Sequence, residues 1–161
     1  MPYLTSNPLE LVPLLAEVQS SRRGAIACFV GTVRDHHNGR AVLRLDYSAY
    51  APMAEAECGR IVAEAEMRWD VSVVARHRIG RLDIGEAAVA VVTAAAHRDE
   101  AFTACRYVIE EIKRRVPIWK KEYFADGTVA WVDPTRGGEA GKRVSETKAE
   151  QLAGHSGGDT G

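Results

Sequence analysis

Cysteine is scarce in this chain, which has three among 161 residues, at positions 28, 58 and 105. An odd number of cysteines, widely spaced and without a C-x-x-C pair, does not predict a disulfide framework or a zinc site. The sequence therefore favours a reducing compartment. We interpret Cys28, Cys58 and Cys105 as small core residues, since their positions follow the strand and helix patterns.

Net charge and long apolar runs are also lacking. The 21 Lys and Arg residues face 22 Asp and Glu residues, which leaves a formal net charge of −1 and no bulk attraction to nucleic acid or to an anionic membrane. The apolar run AAVAVV at 87–92 is too short to span a bilayer. The opening MPYLTSNPLE lacks the basic and apolar regions of a signal peptide. We expect a soluble, cytoplasmic protein.

Several common catalytic signatures are missing as well. The sequence contains no G-x-G-x-x-G motif, Walker loop, G-x-S-x-G motif or H-E-x-x-H motif. These absences argue against dinucleotide binding, ATP hydrolysis and a zinc-protease centre. We expect neither a cofactor nor a metal site.

What is present predicts one α+β domain over 1–133, in which helices alternate with hairpin-type strands in two layers. The patterns predict strands at 24–34, 42–50, 71–79, 86–97 and 127–134, and helices at 13–20, 53–69 and 99–115. The first two strands should pair as a hairpin across the tight turn that Asn38-Gly39 favours. The glycine-rich stretch 134–161 predicts a mobile tail with at most a marginal helix near 144–152.

The two longer helices show apolar stripes that predict packing on a sheet. The first stripe contains Cys58, Ile61, Val62, Ala65 and Trp69. The second contains Ala101, Phe102, Cys105, Val108, Ile109, Ile112 and Val116. Pro117 should end the second helix, because the residue before a proline is biased away from the α region.

The junction between the fourth strand and the third helix is a first candidate site. His97 and Arg98 lie where a buried strand ends and a helix begins. A helix N-terminus presents free backbone N–H groups and a positive dipole end, which suit an anion. A structural interpretation remains open, in which His97 caps the helix and Arg98 pairs with a carboxylate.

The segment GTVRDHHNGR at 31–40 is a second candidate. Arg34 ends a predicted core strand, and Gly31 allows close approach of a backbone or a ligand, although Arg34 also fits a surface residue. His36 and His37 are residue types that bind zinc, but no partner at metal-ligand spacing accompanies them. We interpret both histidines as solvated loop residues.

The segment VPIWKKE at 116–122 is the third. Pro117 and Trp119 restrict the backbone just before Lys120. A lysine held near other cations is disfavoured in its charged form and can act as a base or nucleophile. Lys113, in the last helical turn, also fits a plain complement to the helix dipole. With the two arginines above, Lys113 and Lys120 predict a basic pocket for a phosphate or a carboxylate-like anion.

Six motifs occur in a specific order, namely FVGTVRDHHNGR, YSAYAPMAEAE, AEMRW, HRIGRLDIGE, AAHRDEAF and VPIWKKEYFADG with a following WV. In this order they resemble the large, catalytic subunit of molybdopterin synthase, the MoaE family, over residues 24–132. The resemblance implies an α/β hammerhead fold with an additional antiparallel β subdomain. It also implies a homodimer that binds a small ubiquitin-like, MoaD-like sulfur carrier at each end, giving a heterotetramer.

The resemblance implies a sulfurtransferase of molybdenum cofactor biosynthesis. The C-terminal Gly-Gly thiocarboxylate of the carrier would supply sulfur, from two successive carriers, to cyclic pyranopterin monophosphate to form the molybdopterin dithiolene. Position by position, it implies that Lys113 and Lys120 are catalytic. The implied substrate-binding residues are Thr32, Val33, Arg34, His97, Arg98, Lys113, Lys120, Lys121 and Glu122. Arg136 is the candidate for an arginine that some members lend to the neighbouring subunit, with a shifted spacing here.

Two other interpretations fit parts of the sequence. A non-catalytic binding partner of a ubiquitin-like sulfur carrier needs the surface for the carrier tail but could lose Lys120 and Arg98, which are both present. A generic domain that binds phosphorylated metabolites needs only the basic pocket. An assay of sulfur transfer from a thiocarboxylated carrier separates all three.

Overall fold

The computed structural model describes residues 2–133 and 145–148. This part of the chain has a mixed α+β architecture with three helices and two sheets. The helices are α1 (Leu11–Val18), α2 (Ala51–Arg68) and α3 (Arg98–Arg115). The strands are β1 (Leu4–Thr5), β2 (Ala25–Thr32), β3 (His36–His37), β4 (Arg40–Ala49), β5 (Val71–Arg78), β6 (Gly80–Asp83), β7 (Ala87–Ala95), β8 (Ile118–Phe124), β9 (Thr128–Val132) and β10 (Ser145–Lys148). The predicted α+β class is confirmed.

The first sheet, in the order β1-β5-β7-β2, carries the main core. β7 is buried on both faces, because its alternate residues belong to two different clusters. Val89 and Val91 pack with α2 and α3, whereas Ala90 and Val92 pack with Leu14 of α1. Short α1 therefore covers part of the face opposite the two long helices.

The long helices follow the predicted stripes. α2 buries Ala54, Cys58, Ile61, Val62 and Ala65, and α3 buries Ala101, Ala104, Cys105, Val108, Ile109 and Ile112. α3 has acidic residues in its first turn and basic residues in its last, as its dipole favours. It ends at Arg115, two residues before Pro117. Phe102 is an exception, because its side chain is exposed and not in the core.

The predicted hairpin between 24–34 and 42–50 is wrong. β2 pairs antiparallel with β7, where Ala25 is opposite Ala95, and it forms an edge of the first sheet. The turn at Asn38 and Gly39, both with positive φ, instead joins the two-residue strand β3 to β4. As an edge strand, β2 leaves Cys28 exposed, so the expectation of a core position for this cysteine is also wrong.

The second sheet has the order β10-β9-β8-β4-β3, with β6 also paired to β4. β6 lies between the predicted strands 71–79 and 86–97, where no element was predicted. Val33, Val42, Leu45, Leu82 and Phe124 are among the residues that form its core. β8 follows α3 directly and runs antiparallel to β4, so the segment after Pro117 is a strand in the middle of this sheet.

The C-terminal stretch is described only at 145–148. These residues form β10 on β9, so the marginal helix expected near 144–152 is wrong there. The rest of the predicted tail over 134–161 lies outside the described residues. In the described part of the chain, no helix is both long and apolar enough to cross a lipid bilayer.

Candidate active site

A polar cavity of about 160 Å³ opens where the two sheets meet near the C-terminal end of α3. Its lining residues come from the end of β2, from β3, β4 and β8, and from α3. They are Thr32, Arg34, His36, His37, Val42, Leu45, Tyr47, Lys113, Lys120 and Glu122. Five of the nine residues expected at the site are therefore brought together in one chain, namely Thr32, Arg34, Lys113, Lys120 and Glu122.

Strand β8 supplies Lys120 and Glu122 through simple alternation. Successive side chains of a strand point to opposite faces, and Ile118, Glu122 and Phe124 are buried on the inner face. Lys121 lies on the other face, where its ammonium nitrogen is 5.1 Å from the ring centroid of Tyr123 and 5.4 Å from that of Trp131. Lys121 does not line the cavity.

The end of β2 supplies Thr32 and Arg34. The pairing with β7 shifts register between Gly31 and Thr32, which redirects the chain toward the cavity. A Cβ at Gly31 would lie 2.8 Å from a methyl carbon of Val89, so this close approach requires glycine. The Val33 side chain is buried in the second core and therefore cannot contact a ligand in the cavity. Among the described residues, no carboxylate lies within ion-pair distance of Arg34.

The surroundings of Lys113 perturb its protonation. Desolvation by the surrounding walls is the larger cause, and repulsion from Lys120 is the smaller one, and together they hold the pKa of Lys113 below its usual range. Lys113 as a whole residue is exposed to solvent. The pKa shift therefore comes from the cavity walls around its ammonium group and not from complete burial of the side chain. The shift makes Lys113 easier to deprotonate than an ordinary lysine.

Glu122 joins two cavity residues through its two carboxylate oxygens. Lys120 Nζ is 3.1 Å from Oε1, and His37 Nδ1 donates to Oε2 at 2.7 Å. Burial alone raises the pKa of Glu122, but the hydrogen bonds and charges of His37 and Lys120 outweigh it and give a net lowering. His37 is thus a site residue that the sequence interpretation as a solvated loop position missed.

A second, smaller cavity of about 50 Å³ lies beside the two lysines. Tyr47 and His77 line it, with their rings edge to face at a centroid distance of 5.1 Å. Desolvation lowers the pKa of His77 to about 4, and the backbone carbonyl of Arg78 accepts its Nδ1–H at 2.8 Å. His77 is therefore a neutral group beneath the lysines at pH 7.

His97 and Arg98 lie at the other end of α3. His97 is the N-cap residue, but its side chain makes no capping hydrogen bond. Within the described residues, no ion pair to a carboxylate involves Arg98, so the structural roles considered for this pair are not observed. His97 and Lys113 are sixteen positions apart, about 24 Å along a helix with a rise of 1.5 Å per residue. These two residues therefore do not line the cavity of their own chain.

Two further positions concern metals and the tail. His36 is exposed and its Nδ1 donates to Asp35 Oδ1 at 2.7 Å. Over 2–133 and 145–148, the structure groups no three His, Cys, Asp or Glu residues in a way that could hold a metal ion. Arg136 lies outside the described residues.

This fold and cavity define an α+β protein with a cationic pocket that contains two lysines and an arginine. Comparison with known proteins specifies the family. The family model for MoaE protein matches residues 4–115. The molybdopterin synthase catalytic subunit of Bacillus subtilis is 46% identical over 125 residues, covering 77% of this chain and 80% of that protein. Catalytic subunit 1 from Mycobacterium tuberculosis is 46% identical over 134 residues, covering 81% and 90%.

The structural comparison agrees. The crystal structure of molybdopterin synthase from Staphylococcus aureus superposes with a TM-score of 0.77 at 35% identity, covering 81% of this chain and 95% of that one. The chain belongs to the MoaE family, and the relatives named here are molybdopterin synthases or their catalytic subunits. The predicted family is confirmed, whereas the roles of individual residues stay predictions.

Proposed function

We propose that this chain is the catalytic subunit of a cytoplasmic molybdopterin synthase. In this function it transfers sulfur from the C-terminal thiocarboxylate of a small ubiquitin-like, MoaD-like carrier to cyclic pyranopterin monophosphate, which forms the molybdopterin dithiolene. The family membership supports the enzymatic role in molybdenum cofactor biosynthesis. The convergence of Arg34, Lys113 and Lys120 on one cavity is the observation that carries the chemistry.

The charges of the cavity suit both substrates. A thiocarboxylate and a phosphate are anions, and a focused cationic pocket in a chain of net charge −1 attracts each of them locally. Arg34 offers a planar fork that can hold two oxygens of one phosphate at the same time. Since Arg34 has no carboxylate partner among the described residues, its donors are free to bind the ligand.

The lysines account for proton movement. The thiocarboxylate sulfur attacks the pterin substrate as an anion and carries no proton. Lys113, with its lowered pKa, can accept a proton from the water that then cleaves the acyl–sulfur bond, which leaves the sulfur on the pterin and releases the carrier as a carboxylate. Lys120, held by Glu122 at 3.1 Å, supplies positive charge beside the same atoms and can donate a proton to a leaving oxygen. Sulfur arrives already activated on the carrier, so this chain needs neither ATP nor a cysteine of its own.

The carrier tail matches the narrow second cavity. Glycine has no side chain, and the small space of about 50 Å³ beside Lys113 and Lys120 would exclude a larger residue at the end of the tail. Tyr47 and the neutral His77 add no positive charge there, so the tail's anionic terminus is drawn toward the lysines.

A dimer accounts for His97 and Arg98, which the fold separates from their own cavity. β2 exposes Ile26, Phe29 and Val30 on an edge strand, an arrangement that favours pairing with another copy. Antiparallel pairing of two β2 strands brings the start of each strand to the end of the other. The start of β2 adjoins the end of β7 and therefore His97, while its end leads to the cavity. The eight residues of β2 span about 24 Å, the same length that separates His97 from Lys113.

The proposed site is therefore composite: Arg34, Lys113 and Lys120 come from one protomer, and His97 and Arg98 come from the other. His97 and Arg98 of the second protomer present a helix N-terminus and a guanidinium, which suit the phosphate of the pterin substrate.

A single-turnover assay tests the function. The purified chain, the thiocarboxylated carrier and cyclic pyranopterin monophosphate are mixed in a buffer that contains a metal chelator. The amount of dithiolene product is measured over time. Product at a rate independent of added metal supports the proposal. Tight carrier binding without any product would instead support the non-catalytic partner, and pterin binding without carrier binding would support the generic phosphometabolite domain.

A further inference from the structure

The Glu122 carboxylate is almost fully buried between two partners. Its side chain is 3% exposed, and each oxygen has its own partner, Lys120 on Oε1 and His37 on Oε2. A buried carboxylate with an unpaired oxygen is costly, so both contacts contribute to keeping it ionised in this position. The arrangement forms a chain of three side chains that ends at a lysine proposed to act in catalysis.

Lys120 needs this support because its own stem is flexible. A lysine ammonium is a point charge on four rotatable carbons, and one contact with a carboxylate does not fix its direction. A carboxylate that is itself free to rotate would fix the ammonium even less. The hydrogen bond from the His37 ring holds the plane of the Glu122 carboxylate, so the oxygen that contacts Lys120 keeps one direction.

His37 is itself held by local structure. The turn at Asn38 and Gly39, both with positive φ, closes β3 against β4 and places His37 opposite Arg40. The Arg40 guanidinium in turn stacks on the ring of Phe124 at 3.7 Å. The His37 side chain is 28% exposed and its neighbour His36 is 63% exposed, which distinguishes the two histidines of this loop.

We infer that His37 is a positioning residue for sulfur transfer: it orients Glu122, which fixes the Lys120 ammonium in the cavity. The inference rests on the proposed function for its kinetic consequence, whereas the contact itself can be measured without any turnover. His37 needs only an N–H donor at the δ position of its side chain for this role. Asparagine has a comparable donor, so it can replace the histidine, whereas alanine cannot.

The test compares His37→Ala, His37→Asn and the control Asp35→Ala. Asp35 lies in the same loop and binds His36, but it contacts neither Glu122 nor Lys120. We expect His37→Ala to slow single-turnover transfer roughly 10- to 100-fold, as small misplacements of catalytic groups do. Its carrier affinity should stay close to the wild type, whereas its melting temperature should fall, because one oxygen of the buried Glu122 carboxylate loses its partner. His37→Asn should recover most of the rate, and Asp35→Ala should keep it.

A second readout is independent of activity. Trace acetylation with acetic anhydride, followed by Glu-C digestion and mass spectrometry, gives the reactivity of Lys120 relative to Lys121. In His37→Ala, Lys120 is no longer held by Glu122 and should be acetylated several-fold faster. In His37→Asn, the reactivity of Lys120 relative to Lys121 should equal that of the wild type.

Unchanged labelling and rate in His37→Ala, or an asparagine variant as impaired as the alanine variant, would overturn the inference. If the alanine variant does not fold, the asparagine variant decides by the same two measurements. A wild-type chain that transfers no sulfur contradicts the proposed function, while the labelling ratio still reports on the His37 contact.

Discussion

Paired variants can reveal whether each active site is shared between two protomers. The length of α3 separates Arg98 from Lys113 by about 22 Å in one chain, too far for both side chains to bind one small anion. We therefore expect Arg98→Ala and Lys120→Ala to damage different halves of a composite site. Loss of an arginine–phosphate contact should weaken pterin binding roughly 10- to 100-fold, and more than it weakens carrier binding.

The assay uses dimers made by coexpression with two different affinity tags and measured at subsaturating pterin concentration. A dimer of one Arg98→Ala chain and one Lys120→Ala chain has one site with both defects and one site with neither. By two-fold symmetry it should show about half of the wild-type activity, although each variant homodimer is impaired.

The reciprocal dimer provides the control. It pairs a wild-type chain with a chain that carries both substitutions, so a composite arrangement leaves one defect in each site and little activity. Sites confined to one chain give the opposite pattern, with half activity in the reciprocal dimer and none in the first. That opposite pattern would refute the shared site and the β2 pairing from which it was inferred.

Two further predictions concern cysteine and pH. Replacing Cys28, Cys58 and Cys105 together with alanine should preserve sulfur transfer. Burial raises the pKa of Cys58 to about 12 and that of Cys105 to about 11, so both thiols stay protonated. A folded variant that is inactive in the single-turnover assay would show that sulfur passes through this chain. Since burial lowers the pKa of His77 to about 4 from 6.5, the unfolded state binds more protons between these values, and stability falls as pH falls. From pH 8 to pH 5, His77 should lower the free energy of unfolding by about 2 kcal/mol. Urea unfolding of the His77→Leu variant should therefore show a loss that is smaller by this amount over the same interval. An equal loss in both proteins would contradict the assignment.

The sequence was sufficient for the elements that have strong local patterns. The stripes of α2 and α3 have helical spacing, and Pro117 determines where α3 ends, so both helices could be predicted. The opposite directions of Lys120 and Lys121 follow from strand alternation alone. The order of the motifs was specific enough to identify the family.

Pairings between distant segments were not available from local pattern. Only the short strand β3 separates β2 from β4 in sequence, yet β2 pairs with β7, about sixty residues later. The edge position of β2 then exposes Cys28, which the apolar strand pattern had placed in the core. His37 contacts Glu122 across 85 residues, and only the folded chain shows that a loop histidine belongs to the site.

The most direct test of the central claim compares Lys120→Ala with Lys121→Ala in single-turnover sulfur transfer. The two lysines are adjacent in β8, but Lys120 faces the cavity and Lys121 faces the rings of Tyr123 and Trp131. Loss of a proton-transfer group should reduce the rate by about 10²- to 10⁴-fold in Lys120→Ala, with a folded dimer that still binds the carrier. Lys121→Ala should have a much smaller effect. A Lys121→Ala variant that is the slower of the two, or a Lys120→Ala variant with the wild-type rate, would contradict the placement of the active site.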